Sequence, residues 1–159
     1  DHPVCVSVRH HKGRENVPIP RGEAVHIVHA SPCEPLSEYL MPNLPADHKR
    51  LKANFDTALH RVTFYGHTHH PGWFAEGQDF QRADGHDAVI RLEADRRYLI
   101  NVGSVGQPRD SDPRLAYALF DGESVRWRRL DYDVETARAK IAAVPELPET
   151  LGSRLLVGK

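Results

Sequence analysis

Three imidazoles crowd together where a strand-like run ends. In Arg61-Val62-Thr63-Phe64-Tyr65 the β-branched and aromatic residues give way to Gly66-His67-Thr68-His69-His70. Residues two apart in an extended chain point the same way, but a turn at Gly66 lets His67 and His69 converge on one centre or bracket two. Neutral imidazole is the commonest side-chain metal ligand, suited to zinc and, with carboxylates beside it, to manganese or iron. A His-x-His pair is a weak signal by itself in a chain with 11 histidines. His29 strengthens it, because it follows a second apolar run, Val25 to Val28, stopped by Ser31-Pro32. Three imidazoles from two adjacent strand ends would make a three-ligand site with an open position. His70 reads as an outward loop residue and His26 as a structural one. His2, His10, His11, His48, His60 and His86 carry no spacing signal and read as surface residues.

The elements that position these rings are legible around them. Val25 to Val28 reads as a buried strand that delivers His29 at its C-terminal end, where open α/β sheets place ligands. The prolines at 35, 42 and 45 make the following stretch a loop able to overhang a site. From Ala46, Leu51, Phe55 and Leu59 recur at spacing four, with Asp47 near the start, which predicts an amphipathic helix docked by one stripe. The strand at 61–65 follows, so a β-α-β unit is expected, with both histidine-bearing ends on one sheet edge and His29 near His67 and His69. Further on, the runs around Ala88-Val89-Ile90, Tyr98-Leu99-Ile100, Leu115 to Phe120 and Val125 to Leu130 read as antiparallel strands, with a hairpin turn at Asp121-Gly122. Val134, Ala137, Ile141 and Val144 then mark one face of a closing helix.

Composition narrows the function classes. A chain of 159 residues, 40% hydrophobic and 27% charged, fits one globular domain spanning 1–159. The net charge of −1 gives no electrostatic footprint for nucleic acid or an anionic membrane. No apolar run approaches the roughly 20 residues of a spanning helix, and the two cysteines, Cys5 and Cys33, imply no disulfide framework, so a reducing cytoplasm is expected. The chain starts at Asp1 with sequence of mid-domain character, and its single methionine is Met41, which reads as a piece of a longer polypeptide.

Two further segments invite chemistry. Asn101 to Asp110 (Asn-Val-Gly-Ser-Val-Gly-Gln-Pro-Arg-Asp) is a loop that could offer backbone N–H groups and Arg109 to a phosphate, or could serve as a structural support for the metal site. It lacks the glycine pattern of a dinucleotide or P-loop site. Val125 to Leu130 mixes Trp127 with three arginines, but strand alternation explains it, with Val125 and Trp127 facing the core and Arg126 and Arg128 facing water. Trp73 and Phe74 read as loop aromatics that flank a substrate or anchor a turn.

Val28-His29-Ala30-Ser31-Pro32, Glu34 to Leu40, Phe64 to Phe74 and Tyr98 to Asp121 together resemble the C-terminal half of bacterial calcineurin-like metallophosphoesterases, most strongly over 23–159. The resemblance implies an α/β fold, part of a four-layer α/β/β/α sandwich with mixed sheets and flanking helices. It also implies a centre of two divalent metal ions (manganese, iron, zinc or similar), with His29 and His67 on one metal and His69 on the other. Paired cations clamp a phosphate and hold a hydroxide for in-line attack. The chain departs from the family in two ways. Ala30 stands where many relatives have glycine, which suits a negative φ. The Asp-x-His, Gly-Asp and Gly-Asn-His-Asp/Glu motifs, expected upstream of His29, are absent from the sequence. Without their carboxylates the 159 residues are expected to hold one metal or none.

The resulting expectation is a metal-dependent phosphoesterase, acting on a phosphomonoester or phosphodiester in a phosphoprotein, a nucleotide or another ester, and truncated of its N-terminal ligands. Two alternatives stand beside it: a catalytically inactive binding module that keeps the fold, and a mononuclear zinc site on the three histidines. No membrane or nucleic-acid partner is expected. An unpaired sheet edge would favour self-association into a homo-oligomer.

Overall fold

The computed structural model describes residues 24–159, together with the strand backbones Val4–Cys5 and Arg14–Val17. His2, His10 and His11, read above as surface residues, lie outside the described residues. Two sheets carry the fold. The larger has six strands in the order β2 (Arg14–Val17), β3 (Val25–Val28), β4 (Val62–Tyr65), β8 (Tyr98–Asn101), β5 (Gly72–Ala75) and β6 (Gln81–Arg82). The smaller is antiparallel, in the order β1 (Val4–Cys5), β9 (Leu115–Phe120), β10 (Ser124–Leu130) and β7 (Val89–Arg91).

In β3, β4 and β8 every residue is buried, since both faces of the central sheet are covered. Val25, Ile27, Val62, Phe64, Tyr98 and Ile100 meet Ala118, Phe120, Val125 and Trp127 of the second sheet. Val28, Tyr65, Leu99 and Phe74 point the other way and pack with Leu40 and with Leu51 and Phe55 of the helix α1 (Lys49–Thr57). The α1 layer, the mixed sheet and the antiparallel sheet agree with the expected mixed α/β sandwich. The β-α-β unit is present, with β3 and β4 parallel.

Several local expectations are corrected. The helix begins at Lys49 and is capped by the His48 ring, which accepts from the Arg50 N–H at 3.2 Å, so Asp47 does not cap it and His48 is no idle surface residue. The Ala46 N–H is engaged by Asp79 Oδ1 at 2.8 Å, and a turn closes from the His48 N–H to the Pro45 carbonyl before the helix can start. Helix α1 stops at Thr57, leaving Leu59 exposed. The strand β8 pairs parallel with β4 and so belongs to the first sheet, not to the antiparallel group. Residues 72–75, read as loop, form β5 antiparallel to β8; Phe74 is fully buried against Phe80, and Trp73 stacks on Trp127.

The hairpin at Asp121-Gly122 is as expected, with Asp121 Oδ1 accepting from the Glu123 and Ser124 N–H groups. Val125 and Trp127 are buried while Arg126 and Arg128 reach outward to share Asp87. The closing helix α2 (Val134–Ala142) is capped by Asp133 and has no fully buried residue. Val134, Ala137 and Ile141 are half-buried, Val144 lies beyond the helix and is exposed, and the helix contacts α3 (Thr150–Ser153) and the 3-10 turn Arg154–Val157 rather than a sheet. Cys33 carries a free thiol 3.4 Å from Thr57 Oγ1.

Candidate metal centre

Three neighbouring parallel strands end together, and the residue that follows or closes each one belongs to the site. His29 follows β3, Gly66 and His67 follow β4, and Asn101 closes β8. The Gly66 N–H donates to the His29 carbonyl at 2.9 Å, tying the first two ends together. Asn101, fully buried, ties the second to the third: its Nδ2 donates to the Gly66 carbonyl at 3.2 Å and to Thr68 Oγ1 at 2.7 Å, while its Oδ1 accepts from the Gly103 N–H at 2.9 Å. The Asn101 carbonyl in turn accepts from Trp127 Nε1 at 2.8 Å, which anchors the site to the second sheet.

The sharp turn that was expected at Gly66 is centred one residue later. The Thr68 N–H donates to the Gly66 carbonyl at 2.7 Å, closing a γ-turn around His67, whose φ is 63°. This hand of γ-turn is rare and strained. His69 also has a positive φ, 62°. Gly66 has no positive φ, and a Cβ there would sit 3.6 Å from the His29 carbonyl, an ordinary contact. Left-handed backbone at two non-glycine residues in one short loop persists only where surrounding structure over-determines it, and it clusters at functional sites. Ala30 has none of this strain and keeps a negative φ, as its replacement of glycine requires.

His29 Nε2 and His67 Nδ1 stand 2.9 Å apart, with ring centroids 4.7 Å apart and edge-on. That is the length of an N–H···N hydrogen bond between the two rings. Two nitrogens at about 2.1 Å from one tetrahedral zinc would be about 3.4 Å apart, so a small opening of the pair would let both bind one ion. His69 is held differently. Its Nδ1 donates to the Gln107 carbonyl at 2.7 Å, which leaves Nε2 with its lone pair. Burial lowers the His69 pKa, the Gln107 hydrogen bond opposes that, and the nearby Arg109, His67 and His70 charges lower it further. His69 is therefore neutral at pH 7, the form that binds metals. His70 Nδ1 donates to the Thr68 carbonyl, and His26 is fully buried in β3.

The structure thus joins His29 to His67 but does not gather all three histidines on one centre. Among the described residues no group of three or more His, Cys, Asp and Glu side chains is placed to hold a metal ion. The three-imidazole zinc site is not formed. For a pair of divalent ions the donor set fits in part: the imidazoles suit them, but no described carboxylate joins the pair to bridge the ions or offset their charge.

Arg109 lies beside His69. Its N–H points to the His69 carbonyl at 3.4 Å and its Nη2 donates to Gln107 Oε1 at 2.7 Å. The next residue, Asp110, is buried in an ion pair with Arg129 of β10, itself only 3% exposed. Sequence reasoning missed Arg129, because strand alternation predicts a core residue there and gives no sign of the partner. It also missed Asn101 as the knot of the site, although a polar residue closing the apolar run Tyr98-Leu99-Ile100 was the available signal.

The sequence pattern of the calcineurin-like phosphoesterase superfamily domain matches residues 5–124. The chain belongs to that superfamily. It is 36% identical over 142 residues to an uncharacterized protein of Methanocaldococcus jannaschii, covering 87% of this chain and 54% of that one. It is similar in structure to a metallophosphoesterase from Sphaerobacter thermophilus, at a TM-score of 0.74 and 33% identity, covering 85% of this chain and 55% of that one. A hypothetical protein from Pyrococcus horikoshii shares the fold, at a TM-score of 0.57 and 19% identity, over 86% of this chain and 47% of that one. The chain spans about half the length of these relatives. No helix among the described residues is long and apolar enough to cross a membrane.

Proposed function

We propose that these 159 residues supply one side of a two-metal phosphoesterase site, with His29 and His67 as ligands of one ion, His69 as a ligand of the other and Arg109 as a contact to the substrate phosphate. The observation that supports this most directly is the 2.9 Å approach of His29 and His67 at the ends of adjacent parallel strands, beside a neutral His69 whose Nε2 lone pair is available. In this reading the carboxylates come from the part of the relatives' length that the chain does not span. The chain's own residues bind and orient. Gln107 fixes the His69 tautomer, Asn101 and Thr68 hold the strained turn, and the fixed charge of Arg109 favours a phosphate oxyanion. The substrate is a phosphomonoester or phosphodiester.

The test is metal content after loading with manganese or zinc, paired with release of nitrophenol from nitrophenyl phosphate esters. One equivalent of metal, lost in His67→Ala and retained in His60→Ala, is the expected result for the 159 residues. Two equivalents would mean that ligands other than the family's replace the carboxylates. No metal, with no difference between the variants, would count against the assignment.

A second reading has an observation in its favour. The absence of a described carboxylate near the histidines suits a module that keeps the fold and binds without hydrolysing. Steady nitrophenol release by the loaded protein, abolished in His67→Ala, would exclude it.

A further inference from the structure

The loop after β3 presents one aromatic ring to this centre and fastens the chain on both sides of it. Tyr39 lies over the His67 ring, with centroids 4.1 Å apart and planes at 46°, yet Tyr39 is 45% exposed. On one side, the Glu38 carboxylate accepts from Ser31 Oγ at 2.5 Å and from Asn54 Nδ2 at 2.8 Å, and pairs with Arg50 at 3.3 Å. Ser31 and Asn54 are fully buried. On the other side, Leu40 is fully buried in the cluster beneath α1. The loop is closed further by the Ala30 N–H on the Pro35 carbonyl and the Glu34 N–H on Ser31 Oγ.

Tyrosine is commonly half-buried, so what distinguishes Tyr39 is its setting. Here its two neighbours are pinned, one by three polar partners and one by burial, while its own ring is left half in water with an edge on a candidate metal ligand. The arrangement holds an aromatic surface beside His67 at little further ordering cost, since the backbone is already fixed. Leu36 and Met41 of the same loop are also exposed, at 62% and 36%, beside the exposed polar residues Glu34 and Ser37.

We infer that Tyr39 is a specificity-determining residue whose ring covers the organic part of the phosphate ester, so that the site prefers esters of aryl or other planar alcohols over those of small alkyl alcohols. Glu38 is the positioning residue that holds the ring there. The inference rests on the phosphoesterase reading above and adds the class of leaving group to it. An aromatic ring meeting another ring in offset or edge-on geometry gains enough for a preference of about threefold to tenfold.

The experiment compares phenylphosphonate with methylphosphonate, neither of which can be hydrolysed, in phosphorus NMR titrations of the zinc-loaded protein and its variants. Wild type and Tyr39→Phe are expected to bind phenylphosphonate about threefold to tenfold more tightly than methylphosphonate. Tyr39→Ala should bind the two alike. Glu38→Gln should give an intermediate preference, together with a shift of the His67 ring-proton resonances that Tyr39 shields. Equal affinities in wild type, unchanged in Tyr39→Ala, would overturn the role of Tyr39 and leave the phosphate site standing. Loss in Tyr39→Phe as great as in Tyr39→Ala would overturn the ring as the contact and assign it to the hydroxyl. Binding of neither phosphonate by protein that has taken up zinc would overturn the assignment of Arg109 and the bound ion as a phosphate site, and this inference with it.

Discussion

Replacing Asn101 by alanine tests whether one buried amide holds the histidine turn. The wild-type side chain makes three hydrogen bonds in a fully buried place. After truncation the Gly66 carbonyl still accepts from the Thr68 N–H, so it is not orphaned. The Gly103 N–H loses the acceptor it had in Asn101 Oδ1, which costs about 1–3 kcal/mol for a buried donor, and loss of the bond to Thr68 adds about 0.5–1.5 kcal/mol. The sum, about 1.5–4.5 kcal/mol, lowers the melting temperature of a domain of this size by about 3–18 °C. Urea titration at constant m-value measures the free energy, and calorimetry gives the midpoint. Thr68→Val removes the partner hydroxyl, so a double-mutant cycle should return a coupling of at least about 0.5 kcal/mol between the two sites. In the same variant the strain at His67 is no longer held in place, and zinc bound by the protein should fall. A loss of stability under about 0.5 kcal/mol, the range of an ordinary surface substitution, would refute the assignment of Asn101 as the knot.

Other substitutions follow from the same geometry. His67→Asn should be more stable than His67→Val by about 1–2 kcal/mol in urea unfolding, because asparagine tolerates the left-handed φ of 63° and a β-branched residue does not, although neither keeps the imidazole. Arg129→Met strands the Asp110 carboxylate in a buried place and should cost about 3–5 kcal/mol, much of it recovered when Asp110→Leu is added. Glu76 is held below the ordinary carboxylate pKa chiefly by its hydrogen bonds from Arg97. Its contribution is therefore fully present above the ordinary glutamate range and is lost as pH falls through the lowered value. Glu76→Gln should cost less than about 1 kcal/mol at pH 7, since the pair is largely solvated, and the difference from wild type should vanish on acidification in paired urea titrations.

What could be read from the sequence was what burial writes into composition. Val25 to Val28 and Val62 to Tyr65 are apolar or β-branched because both faces of their sheet are covered, and His29 and His67 stand at their ends as expected. Tyr98-Leu99-Ile100 was recognised as a strand for the same reason. Its direction was not, because a parallel and an antiparallel neighbour ask the same residues of a buried strand. The strand Gly72–Ala75 was hidden by its glycine and by its nearness to the histidines, which drew it into the loop. Glycine misled again at Gly66: the usual rule assigns the tight backbone to the residue without a side chain, whereas tertiary hydrogen bonds from Asn101 place it at His67. The Glu38 latch and the Asp110–Arg129 pair join residues 16 and 19 positions apart, and single charged letters carry no sign of such partners.

The shared termination of β3, β4 and β8 divides the chain into parts that can change and parts that cannot. The offsets between His29, Gly66 and Asn101 are set by strand register, in steps of about 4.8 Å across the sheet, and not by the length of any connection. The excursion between β5 and β8, which carries β6 and β7, can be exchanged for another relative's without moving an imidazole where the exchange keeps the packing of Phe80, Ala83 and Leu92. Recombination within the family should therefore succeed where a pair of crossovers replaces that excursion alone, so that His67 and Asn101 still come from one parent. It should fail where a single crossover separates His67 from Asn101, since the two halves of the knot would then come from different parents.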